Sequence, residues 1–166
     1  MSLLALLQVC CLAAFAILLI AAGWQDLRTM RIANGFSLAI VGLFVVWAGI
    51  ELASGRSSPL TIGLSIASAV AVFAVGAAAF AAGALGGGDV KLLAAVSLFA
   101  GPGGLLDFLV VTALAGGLLG LAILAGAPLG QPAVAGPLRA KLRGGLPYGP
   151  AIAAGGLWVA ASRAMS

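Results

Sequence analysis

Gly86-Gly87-Gly88-Asp89-Val90-Lys91 opens a short apolar segment, residues 90–100, which ends at Gly101-Pro102-Gly103-Gly104. Whether this segment crosses a membrane fixes the number of spans and the side on which each later loop falls. As a helix it rises only about 16 Å against a hydrocarbon core of about 30 Å, so alone it is a thin crossing or a re-entrant turn. Asp89 is one of 4 acidic residues in the 166-residue chain. A carboxylate close to hydrocarbon costs roughly 2.5 to 3.5 kcal/mol and is a functional hypothesis by default. Its expected partner is Asp26.

Working outward, the chain is 63% hydrophobic and 7% charged, where a soluble domain is about 25% charged. With a mean hydropathy of +1.25 it reads as an integral membrane protein, a single domain over residues 1–166. The net charge of +4 comes from basic residues scattered over several loops, which fits membrane topology and not nucleic-acid binding. There is no histidine, and the cysteines are the adjacent pair Cys10-Cys11 inside an apolar run. Neighbouring helical positions point about 100° apart, so this pair suits no zinc site and reads as small apolar side chains. No metal or cofactor is expected. The N-terminal run lacks the Lys or Arg of a secretory signal and reads as a span.

Residues 3–23 are long enough to cross as a helix, and Trp24 through Gly35, with its charges and Asn-Gly pair, marks emergence into water. Residues 36–53 and 60–85 form two further spans, the second rich in small residues that let helices approach closely. After residues 90–100 come a full-length span at 105–126, the longest loop at 127–146, and a last span at 147–162.

Charge asymmetry decides the short segment. If it crosses, Arg28, Arg31, Lys91, Arg139, Lys141 and Arg143 share one side and only Arg56 and Arg163 lie opposite. If it turns back, the positive charges of residues 127–146 fall on the wrong side. The expectation is therefore an all-α, polytopic membrane helix bundle of about six transmembrane helices, with the N-terminus outside and a thin or tilted fourth span. Asp26 and Asp89 then both stand at the cytoplasmic ends of spans, although that topology was not built to bring them there.

Each motif also has a plainer reading. Asp89 could be a helix N-cap after a flexible linker, a role compatible with catalysis. The glycines Gly86, Gly87 and Gly88 would also let an extended peptide lie beside the carboxylate. Asp26 alone could be an interfacial charge paired with Arg28 or Arg31. Lys91 either orients the site or holds the headgroup region. Arg28, Arg31, Arg139, Lys141 and Arg143 read as topology determinants that meet anionic lipid, Asp107 and Glu51 as interfacial groups at the opposite face. Pro147-Tyr148-Gly149-Pro150 could be a helix-start turn with an aromatic anchor.

Taken together, Asp26 with Arg28, Arg31 and Ile32-Ala33-Asn34, then Gly86-Gly87-Gly88-Asp89-Val90-Lys91, then Pro147-Tyr148-Gly149-Pro150 resemble the type IV prepilin peptidases, the Gly-x-Gly-Asp aspartic intramembrane proteases. The resemblance covers nearly the whole chain as a pattern of spans, and the glycine-aspartate-lysine block is its most specific part. It implies a multi-pass enzyme of the bacterial inner membrane that removes the basic leader from prepilin or pseudopilin precursors, at the cytoplasmic face just before their hydrophobic helix. It implies Asp26 and Asp89 as the catalytic pair, with Gly86, Gly87, Gly88, Lys91, Asn34, Pro147, Tyr148 and Gly149 toward the substrate. Where the family often has Pro this chain has Ala33, and where it often has Phe the chain has Tyr148. The chain also lacks the cytoplasmic insert with paired Cys-x-x-Cys motifs that goes with N-methylation. It therefore resembles the short, peptidase-only form associated with Flp-type tight-adherence pili, for which methyl transfer is not expected.

Two neighbouring carboxylates resist simultaneous ionisation, so one stays protonated while the other serves as a base. That suffices to activate water without a cofactor. Two rival readings remain at this point. In an ion- or proton-coupled transporter the aspartates would titrate along a polar pathway, but the spans hold few further polar residues and no inverted repeat. In a non-catalytic pilus or secretion assembly subunit, small-residue helix faces would hold partners together.

Overall fold

The computed structural model describes residues 3–126 and 147–165. Among these residues there is no strand, and the chain forms helices α1 (Leu3–Thr29), α2 (Asn34–Ala53), α3 (Pro59–Ala81), α4 (Gly87–Leu124) and α5 (Gly149–Met165). The first four are long and apolar enough to cross a bilayer. The protein is a polytopic helical membrane bundle. The basic loop at 127–146, with Arg139, Lys141 and Arg143, lies outside the described residues.

Helix α4 is two limbs joined at a break. Gly101 has φ 63° and ψ −179°, a conformation open essentially to glycine alone. The following Pro102 has no N–H to offer the preceding turn and starts the second limb, a position that suits proline. The first limb runs from the Asp89 end of the bundle to the end where Ser65 and Arg163 lie against Gly101. The second returns, with Phe108 against Gly155 and Gly116 against Ala151. Counting the limbs separately gives the six antiparallel segments that the charge pattern predicts.

A limb this short would end with unpaired carbonyls inside hydrocarbon, where no water satisfies them. Arg163 resolves this. Its Nε donates to the Phe99 carbonyl oxygen at 3.1 Å and its guanidinium also reaches the Ala100 carbonyl at 3.3 Å. The same guanidinium lies 5.2 Å from the Trp47 ring centroid, a cation–π contact. The sequence presents Arg163 as a charge on the opposite face. The structure makes it the cap of a helix it does not belong to.

The interior is filled by Phe15 and Phe99, whose rings stack at 4.2 Å, with Phe44 and Trp47 around them. Glu51, expected to be interfacial, is buried instead. Its carboxylate accepts from Gln8 Nε2 at 2.6 Å and Ser57 Oγ at 2.7 Å, and Arg56 donates to Gln8 Oε1 at 2.6 Å. This chain of bonds ties the start of α1 to the end of α2. The start of α3 is set locally: Ser58 Oγ accepts the Thr61 N–H at 3.1 Å and Pro59 takes the first helical position.

Three expected boundaries move. Helix α1 continues to Thr29, into the first half of the stretch read as a water-exposed loop, so Asp26 lies in its last turn rather than beyond it. The charges near Asp26 do not stop a helix, since residues such as Gln25 and Arg28 are good helix formers. Helix α3 ends at Ala81 rather than near residue 85. Finally, Asp89 does not open α4. Gly86 is the N-cap and Asp89 occupies the third helical position.

Candidate functional site

At one end of the bundle the last turn of α1 meets the first turns of α4 and α5. Asp26 is 4% exposed and Asp89 9% exposed, and the two carboxylates lie near enough to act on each other electrostatically. Burial of a carboxylate requires compensating hydrogen bonds, and each has one from a glycine amide. Gly149 N–H donates to Asp26 Oδ2 at 2.8 Å, and Gly86 N–H donates to Asp89 Oδ2 at 3.2 Å. The N-termini of α4 and α5 thus both point toward the pair, and their dipoles favour negative charge between them.

Three close approaches build this corner. A β-carbon at Gly149 would stand 2.6 Å from Asp26 Cβ and 2.8 Å from its Oδ2, so only glycine lets α5 begin here. One turn deeper, Gly23 of α1 lets Pro150 and Ala153 come within 3.3 and 3.2 Å of where its side chain would be. On the other side Met30, at φ 51°, turns the chain sharply after α1. That turn carries Ile32 onto Gly88, whose missing side chain would meet Ile32 Cβ and its carbonyl oxygen at 3.1 Å. The Met30 turn therefore joins the Asp26 helix to the Asp89 helix. Nothing in the sequence marks Gly23 as a site residue, and Ile32 stands out only as part of the motif after Asp26, because their packing roles depend on partners far along the chain.

The remaining candidates divide. Gly86 is exposed and Gly87 half-buried beside the Phe80 ring, which leaves the end of α4 open. Gly88 is covered by Ile32 and offers no such space. Lys91 and Asn34 engage one another, Nζ to Oδ1 at 2.9 Å, on the exposed outer side of α2 and α4. Pro147 is fully buried, and Tyr148 is half-buried against the core while its carbonyl accepts the Ile152 N–H at 3.0 Å, which begins α5. These two residues immediately precede Gly149 at the start of α5. Asp107 lies at the far end, near Pro102 and Arg163.

Chemically, the corner offers two buried carboxylates with one backbone donor each, and an open glycine edge on one side. No curated protein and no solved structure matches the chain. A family model, described as the type IV leader peptidase family, matches residues 13–121, a stretch that contains both aspartates and the Gly86-Gly87-Gly88 run. The chain belongs to the type IV leader peptidase family.

Proposed function

We propose that this peptidase is an aspartic endopeptidase of the bacterial cytoplasmic membrane that removes the basic leader from Flp-type prepilins or pseudopilins, with Asp26 and Asp89 as its catalytic pair. The observation that carries the reading is the convergence of these carboxylates, from helices far apart in sequence, at one buried corner with a glycine amide on each.

In the proposed reaction one carboxylate is ionised and its neighbour protonated, as two acids sharing a site require. The ionised member takes a proton from water as the water oxygen bonds to the scissile carbonyl carbon. The protonated member gives its proton to the carbonyl oxygen. Collapse of the tetrahedral intermediate breaks the C–N bond. The proton taken from water passes to the departing amine, and the proton lent to the carbonyl oxygen returns to its carboxylate. The pair titrates as a unit, so the roles belong to the dyad rather than to a named residue. Membrane insertion of the precursor's apolar helix sets its cleavage site at the depth of the pair. Arg28, Arg31 and Lys91, near the aspartates, oppose the basic leader, so insertion rather than charge attraction guides the substrate.

The direct test is cleavage of an Flp-type pilin precursor co-expressed with wild type, Asp26→Asn or Asp89→Asn, read as a gel shift alongside each variant's membrane level. Loss of cleavage in both variants at normal abundance supports the dyad. An uncut precursor with wild type, or cleavage by either variant, overturns it.

A further inference from the structure

A groove of about 570 Å³ runs along the outer side of the bundle between α2 and α3, floored by the first limb of α4. It exists because α2 and α3 each pack on α4 and scarcely touch one another. Its walls are Leu38 and Val41 on one side and Val70 and Phe73 on the other, all exposed. Its floor includes Ala94, small enough for a helix backbone to come close. At one end stand Lys91 and Asn34, joined by their hydrogen bond, so the groove is apolar along its length and polar at the end that holds the aspartates.

We propose that this groove seats the apolar helix of the precursor, so that the peptide bond preceding that helix emerges at the level of Asp89. This rests on the leader-peptidase reading above. Continuity with the site favours a peptide over a lipid chain. Lys91, at the polar end, is two positions after Asp89 on the same helix, about 200° around it. A chain leaving the groove therefore passes over the start of α4 to reach the carboxylate. There Gly86 is exposed, while Gly87 is half-buried beside the Phe80 ring of α3, so the crossing lies at Gly86. Gly86 thus serves as a saddle over which the leader is drawn from the groove on one side of α4 to the pair on the other.

The test places a photo-crosslinking amino acid at position 70 in the groove, or at exposed position 75 elsewhere on α3, with an Flp-type pilin precursor co-expressed and wild-type cleavage followed in parallel. The expected result is an adduct with the precursor from position 70 and not from position 75. In addition, Val70→Trp, which fills the groove from an exposed wall, raises KM about tenfold, the factor that about 1.4 kcal/mol of lost binding represents, with kcat held. Wild-type cleavage with position 70 joined only to lipid or to a second copy of this chain overturns the groove and leaves the peptidase reading standing. Wild-type cleavage with Val70→Trp unchanged does the same. Neither cleavage nor adduct overturns both.

Discussion

The amide of Gly149 reaches the Asp26 carboxylate at 2.8 Å across 123 positions of sequence, and it does so only because Gly149 has no side chain. Helix α5 begins where α1 ends, and the first free N–H of one holds the acid of the other. Gly149→Ala sets a methyl group against Asp26 Cβ and pushes the carboxylate aside. Displacements of about 1 Å at a reacting group cost about 10²-fold in rate. The expected outcome is a loss of that order in kcat for precursor cleavage with membrane abundance retained, measured on purified enzyme in detergent.

A dyad that shares one proton gives a bell-shaped pH profile. Activity falls on the acid side as the base takes a proton, and on the alkaline side as the acid loses its own. The dependence of kcat/KM on pH, measured with wild-type enzyme and one precursor, should show both limbs. A plateau extending through either limb counts against a carboxylate pair.

Arg163→Ala leaves the Phe99 and Ala100 carbonyl oxygens without their donors. Each orphaned buried group costs roughly 1 to 3 kcal/mol, so the bundle should unfold at lower temperature or denaturant. Arg163→Lys keeps the charge but not the fork of donors and should recover only part of the loss. Thermal unfolding in detergent, compared across the three proteins, checks this.

Gly101→Ala is expected to destabilise by about 1 to 3 kcal/mol, because alanine is strained at φ 63°. Its methyl would also meet Arg163 Nη2 at 2.9 Å and Ser65 Oγ at 3.0 Å. Since α4's first limb carries Asp89, activity should fall together with stability, and cleavage assays across a temperature series should show the two declining in parallel.

At the opposite end, Gln8→Leu removes a donor to Glu51 and an acceptor from Arg56 at once. A buried carboxylate stripped of one partner destabilises by roughly 1 to 3 kcal/mol. Because this network lies at the end of the bundle away from the aspartates, kcat should hold where the variant is folded. Unfolding midpoints and cleavage rates measured side by side separate the two effects.

Much of this architecture is legible in the chain. Apolar runs of bilayer length mark the spans, and Gly101-Pro102 marks the reversal because glycine accepts a positive φ and proline suits a helix start. The charge pattern gives the extra crossing. Local chemistry is less legible. Trp24 to Thr29 looks like a loop by charge yet stays helical, and Asp89 looks like a cap yet sits at the third position with Gly86 before it. Long-range contacts leave no local trace. Ile32 over Gly88, Gly23 under Pro150, and Arg163 on the Phe99 carbonyl each join residues whose individual types are unremarkable for a membrane chain.

The broken α4 also bears on how the protein is made. Its first limb is too short and too capped by distant groups to hold in a bilayer alone, since its terminal carbonyls find their donors on α5, 63 and 64 positions later in the chain. The limb that carries Asp89 must therefore enter the membrane as one arm of a hairpin, with residues 102–124 as the other. It gains its final anchor only after Arg163 has left the ribosome. The same late segment delivers Gly149 to Asp26. Assembly of the aspartate corner and capping of the short limb thus both wait on α5, so a chain that has not yet placed α5 holds no finished pair of acids.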